Sequence, residues 1–136
     1  MSVQPTDAGG TVDAFIAALP TPAAEACARI LAVALTVVPD AEQGTSHGVA
    51  ALRVRGKPLL GLHAAKGHLS VFPFSPSALD TVRAELSGWD CAKGTIRFTA
   101  ERPLPDALVT KLVVARLREI DPEGAFSPKT TTIDES

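Results

Sequence analysis

The chain has 136 residues, which is enough for one compact domain but too few for two, since an independent core usually needs about 100 to 150 residues. Hydrophobic residues make up 46% of the chain and charged residues 21%, which excludes the disordered, collagen-like and coiled-coil classes. Thirteen basic and fifteen acidic side chains leave a net charge of −2, so composition gives no electrostatic footprint for nucleic acid or an anionic membrane.

The two ends of the chain differ from its middle. Residues 1–10 and 122–136 are rich in Gly, Pro, Ser, Thr and acidic residues, which predicts a disordered N-terminal tail and a flexible C-terminal tail around a domain over 11–121. No secretory signal opens the chain, and no apolar run approaches the roughly 20 residues of a membrane span. We therefore expect a cytoplasmic protein that binds neither membrane nor nucleic acid.

The first third of the domain has a helical pattern. A short helix is predicted from Val12 to about Leu19, where Pro20 blocks continuation. Thr21 followed by Pro22 predicts the N-cap of a longer helix, whose apolar stripe includes Cys27 and which ends at Pro39.

The pattern changes after Pro39 to short β-rich runs separated by Gly and Lys, which is typical of antiparallel strands in a meander. Ser77 then predicts the cap of a helix over residues 78–86, and a further strand is predicted over 94–99. Pro105 and Asp106 open a last amphipathic helix. This order predicts an α+β domain in which an antiparallel sheet of about five strands is covered by helices on one face.

Six short strings follow one another along the chain: Pro39-Asp-Ala-Glu42, Ser46-His-Gly-Val49, Lys66-Gly-His68, Phe72-Pro-Phe-Ser75, Lys93-Gly-Thr-Ile-Arg-Phe98 and Pro103-Leu-Pro105. With these strings the chain resembles the YdhG-like family over about residues 12 to 120. Members of that family have a small α+β two-layer sandwich superficially similar to frataxin, and some bacterial members are described as frataxin-like intracellular iron chaperones. The resemblance therefore implies this fold, and iron as a possible ligand.

One string departs from the family pattern. His47-Gly48-Val49-Ala50 lacks the aromatic residue and the proline that family members usually carry there. This member would then bind a different ligand or use His47 as a polar substitute for the aromatic ring.

The strings that carry the resemblance lie on strands and turns, which suggests a ligand site there, since loops held by a rigid sheet commonly carry binding groups. An equally open alternative is that the strings only set turns and core packing. The site hypothesis is a common groove with an aromatic floor and polar or basic groups around it. Its predicted residues are Ser46, His47, Lys66, His68, Phe72, Phe74, Lys93 and Gly94.

A metal site is the form of function that the resemblance implies, with Asp40, Glu42 and His47 as the residues that could hold iron near the first strand. The N-terminal helices carry few carboxylates, so the residues themselves support iron only weakly. Ser46 beside His47 does not indicate a hydrolase, because adjacent strand residues point to opposite faces and no nucleophile elbow surrounds the serine.

Together these observations predict a non-enzymatic intracellular binding domain. The resemblance implies a frataxin-like iron-chaperone role as the form of that function, with a small ligand or an iron-receiving protein as the partner. The alternative is a binding module for a small anionic organic ligand or a protein partner, with no metal role.

Overall fold

A computed structural model of the protein describes residues 11–46, 48–65, 67–92 and 94–122. The predicted tails over 1–10 and 122–136 lie outside the described residues, apart from Pro122. The described elements in chain order are α1 (Val12–Ala17), α2 (Thr21–Val37), β1 (Glu42–Ser46), β2 (Val49–Val54), β3 (Lys57–Ala65), β4 (His68–Phe72), α3 (Pro76–Val82) with a following 3₁₀ turn (Arg83–Glu85), β5 (Asp90–Ala92), β6 (Thr95–Phe98) and α4 (Asp106–Ile120).

The six strands form one antiparallel sheet in the order β1-β2-β3-β4-β6-β5. This confirms the α+β class and the antiparallel sheet with helices packed on it. The sheet has six strands where about five were predicted, and β5 was not among the predicted elements. It has only three residues and exists because Asp90 and Cys91 pair with Arg97 and Ile96 of β6.

One face of the sheet is buried against the helices. Leu52 pairs with Leu60, and Leu62 with Val71, so that these residues share a face and belong to one core with the apolar sides of α2, α3 and α4. The apolar stripe predicted for the last helix is buried as expected. Its members are Leu108, Val109, Leu112, Val113, Leu117 and Ile120.

The helix starts show where local rules failed. Helix α2 begins at Thr21 itself, with Pro20 at the N-cap position and no side-chain cap, so the predicted Thr21 cap is wrong. Helix α3 is capped by Ser75, whose hydroxyl accepts a hydrogen bond from the Ala78 amide at 3.1 Å, so the predicted Ser77 cap is also wrong. Pro76 occupies the first helical position, where its missing N–H costs nothing, and this starts the helix two residues early.

None of the four helices in the described ranges combines the length and the apolar character that crossing a bilayer requires.

The two cysteines have different environments. Cys27 on α2 is fully buried, and burial raises the pKa of its thiol to about 11. Cys91 on β5 is half-buried. Burial also raises the pKa of its thiol, and the Asp90 carboxylate raises it further, while Arg83 lowers it.

We expect a thiol reagent such as DTNB at pH 8 to modify Cys91 in the native protein and to reach Cys27 only after unfolding in urea. Because folding raises the pKa of the Cys27 thiol from its usual value of 9.0 to about 11, the stability that the buried neutral thiol contributes is complete below pH 9 and declines as pH rises towards about 11. The variant Cys91→Ser is the control, and it should show no rapid modification. Equal rates at both cysteines in the native protein would contradict the burial of Cys27.

Candidate functional site

The face of the sheet away from the helices carries an aromatic cleft. Ala51, Gly61 and Phe72 occupy one row across β2, β3 and β4, and this row alternates with the buried core rows, so it faces the other side. A cavity of about 400 Å³ opens on this side. The residues that line it are Val49, Phe72, Phe74, Ser75, Pro76, Gly94 and Thr95. We call it the open-face cleft.

Two phenylalanine rings form the apolar part of the open-face cleft. Phe72 ends β4 and points to the open face, and its ring centroid lies 6.3 Å from that of Phe74, with the ring planes tilted by 42°. Phe74 lies beyond the strand and has a φ of 59°, a left-handed backbone conformation that is unusual for a residue with a side chain. This conformation turns the Phe74 ring back over the sheet, towards Gly61.

Ser75, the residue after Phe74, forms hydrogen bonds with two partners. The Ser75 hydroxyl donates to Glu119 Oε2 of α4 at 2.8 Å while it accepts from the Ala78 amide. Glu119 Oε1 accepts from Arg116, whose Nε donates to the Pro58 carbonyl of β3 at 2.9 Å. The wall of the cleft is thus tied through α4 to the start of β3, which favours a preformed site.

Gly94 supplies the other side of the open-face cleft. It lies in the turn between β5 and β6 and has a φ of 83°, which glycine adopts without strain. The neighbouring Thr95 begins β6 and brings a hydroxyl group to the lining. The described lining therefore has an aromatic body with a few polar groups, the usual form of a small-ligand site.

The structure brings some of the predicted site residues together and separates another. Phe72, Phe74 and Gly94 line the open-face cleft, and Ser46 lies directly opposite Val49, which lines it too. His68 does not line it: it begins β4 and lines a different cavity of about 240 Å³ with Leu19 and Pro20 among its walls. His47, Lys66 and Lys93 lie outside the described residues.

The strand directions explain this separation. His68 begins β4 and Thr95 begins β6, and these neighbouring strands are antiparallel, with Leu69 opposite Phe98 and Val71 opposite Ile96. The turns that precede the two strands therefore lie at opposite ends of the sheet. One groove that joined His68 to the Gly94 turn would have to span the whole length of β4.

The predicted iron ligands do not form a cluster in the described part of the chain. Asp40 and Glu42 are both exposed, and His47 lies outside the described residues. Among the described residues, no group of three or more His, Cys, Asp or Glu side chains is placed to hold a metal ion.

Sequence reasoning missed four lining residues, Val49, Ser75, Pro76 and Thr95, although each is next to or within a string that was singled out. It also passed over Gly61, which lies under the Phe74 ring. A glycine within the apolar run of β3 was a usable signal, because glycine inside a strand often marks a close approach by another group.

No protein-family model matches the chain, and no curated protein matches it. Among solved structures, the chain is similar to the crystal structure of a Bacillus subtilis protein from the DUF1801 family (YdhG), with a TM-score of 0.69 and 18% sequence identity. The match covers 80% of this chain and 90% of that one. The Bacillus subtilis protein is a member of the family that the sequence strings resemble. At 18% identity, the similarity shows that the two proteins share a fold.

Proposed function

We propose that the chain is a non-enzymatic binding domain for a small organic molecule with a planar apolar body and an anionic group, held in the open-face cleft. The observation that carries the proposal is the pair of tilted rings, Phe72 and Phe74, 6.3 Å apart on the wall of a cavity of about 400 Å³. Aromatic side chains in this arrangement offer a large contact area at a low entropy cost to a flat ligand.

The chemistry of the lining favours binding over a reaction. None of the seven described lining residues carries a carboxylate, an imidazole or a thiol. The Ser75 hydroxyl accepts from the Ala78 amide as a helix cap and donates to Glu119 of α4, so both its lone pair and its proton are engaged in contacts that hold α3 and α4.

The anionic group of the proposed ligand is inferred from basic residues that are near the lining residues in the sequence. In the sequence, Lys93 directly precedes Gly94 and His47 stands two positions before Val49, so each of these two lining residues has a basic residue close to it along the chain. An ammonium group or an imidazole N–H beside an apolar cleft would favour a carboxylate or phosphate on the ligand. The roles of Lys93 and His47 stay predictions, and a Lys93 variant below tests the first of them.

The frataxin-like iron-chaperone role has less support. It would need several carboxylates on one surface, since iron as a hard cation prefers oxygen ligands. The exposed Asp40 and Glu42 are the described members of the predicted set, and they offer two carboxylates. The described residues do form an aromatic cleft, and such a cleft suits an organic ligand better than a metal ion.

The test uses 2-naphthoate as a probe, with calorimetry on the full chain. We expect binding to the native protein and a loss of about tenfold in affinity for Phe72→Ala, since stacking and burial of an aromatic ring contribute on the order of 1 kcal/mol or more. Phe15→Ala is the matched control, because Phe15 is half-buried on α1 and outside the cleft. Equal affinity in the native protein and Phe72→Ala would refute this site.

Two further measurements separate the alternatives. The variant Lys93→Gln should weaken 2-naphthoate but leave the neutral probe 2-naphthol unchanged if the lysine pairs with the anionic group. Anaerobic calorimetry with ferrous iron, on the native protein and on Asp40→Asn with Glu42→Gln, tests the iron role. Iron binding that the double variant abolishes, together with no binding of either naphthalene probe, would replace our proposal with the iron-chaperone role.

A further inference from the structure

Gly61 lies in the middle of β3, on the open face and beneath the ring of Phe74. Its backbone φ lies outside the left-handed range that favours glycine, so the strand conformation does not require this residue. The limited space above position 61 does require a glycine. A Cβ atom placed there would lie 2.9 Å from Phe74 Cζ, 3.1 Å from Phe74 Cε2 and 3.2 Å from Val49 Cγ2.

These distances are shorter than ordinary contacts between carbon atoms, which are about 3.5 to 4.0 Å. A methyl group at position 61 would therefore displace the tip of the Phe74 ring, the Val49 side chain, or both. Both residues line the open-face cleft. The absent side chain of Gly61 is thus what allows these two walls to occupy their positions.

The Phe74 ring has little freedom to retreat from such a displacement. Its backbone already has a φ of 59°, and the next residue is fixed by two hydrogen bonds of the Ser75 hydroxyl. A rigid ring anchored at its base transmits a displacement of its tip to the cleft surface, because packed interiors do not absorb extra volume without movement.

We infer that Gly61 is the position that determines the size of the ligand which the open-face cleft admits, by setting how closely the Phe74 ring approaches the sheet. This inference rests on the proposed function and adds a size selection to it. A change of one methyl group in an apolar pocket commonly alters selectivity by about 10-fold or more. We therefore expect Gly61→Ala to discriminate by ligand width.

The experiment measures the affinity of three planar carboxylates of increasing width, benzoate, 2-naphthoate and anthracene-2-carboxylate, for the native protein and for Gly61→Ala. We expect the widest probe to lose at least about tenfold in affinity and benzoate to lose less than about threefold. His63→Ala is the control, since His63 lies two residues further along β3 on the same face, is exposed and does not line the cleft.

A double-mutant cycle with Phe74→Leu separates the proposed cause from a general loss of structure. Leucine lacks the ring atoms that the new methyl group would meet, so Gly61→Ala should have less than a threefold effect on the widest probe in the Phe74→Leu background. Circular dichroism of each variant checks that the fold is retained.

The outcomes for the two proposals differ. If the native protein binds the probes and Gly61→Ala lowers the affinity of the widest probe by no more than that of benzoate, the inference about Gly61 is wrong while the proposed function stands. An equal effect of Gly61→Ala with and without Phe74→Leu also overturns it. If the native protein binds none of the three carboxylates, the proposed function fails, and the size selection fails with it.

Discussion

Replacing Leu112 by alanine is expected to lower the free energy of unfolding by about 2 to 5 kcal/mol. Leu112 is fully buried on α4, which packs against α2, α3 and β3. The substitution removes apolar contacts and leaves a cavity at the point where helices and sheet meet. The neighbouring core residues close such a cavity only in part, because each is held by its own element.

Urea denaturation followed by circular dichroism measures this effect, and the midpoint should fall without a large change in slope. The control is Lys111→Ala, the preceding residue on the same helix. Lys111 is exposed and forms a surface ion pair with Glu85 at 2.8 Å, so its loss should cost less than about 1 kcal/mol. A cost for Leu112→Ala no greater than that for Lys111→Ala would contradict the position of α4 in the core.

The variant Ser75→Ala is expected to destabilise the protein by about 1 to 3 kcal/mol. The substitution removes the N-cap of α3, and it also removes the donor to Glu119 in a partly buried position. The Ser75 hydroxyl serves both partners at once, so the two losses act together. Because Ser75 directly follows Phe74, we also expect weaker binding of 2-naphthoate by this variant.

The matched control is Ser77→Ala, which lies two residues further along and is exposed. Sequence patterns assigned the cap to Ser77, whereas the structure assigns it to Ser75, so the two interpretations make opposite predictions. Thermal unfolding decides between them: a larger loss of stability for Ser77→Ala than for Ser75→Ala would restore the original assignment. Glu119→Gln adds a second check, since it keeps a hydrogen-bond acceptor for Ser75 while removing the charge that faces Arg116.

The order of elements and the fold class could be predicted from the sequence because they depend on local patterns. The apolar residues that recur at helical spacing in α2 and α4 form the buried faces of those helices. Glycines at positions 48, 56, 67 and 94 have positive φ and sit in two-residue connections between paired strands, which is the hairpin signal that the sequence displayed.

Boundaries and short elements were less accessible to sequence reasoning. Both Thr21 and Ser75 precede a proline, yet only Ser75 caps its helix, since the backbone of Thr21 is already helical. β5 has no apolar alternation of its own and is defined by its pairing with β6. Elements of this kind form through contacts with a neighbour, so their own residues carry little of the signal.

The candidate site, too, could be predicted from the sequence only in part. Phe72, Phe74 and Gly94 were placed in it from their strings, but the exclusion of His68 follows from the antiparallel direction of β4 and β6. The need for glycine at position 61 arises from a ring on a later segment that turns back over the sheet. Residue type and local spacing identify which positions are apolar, aromatic or able to form a turn. Which of these residues come into contact depends on how the segments pack, because strand direction and steric contact are relations between segments that no local pattern contains.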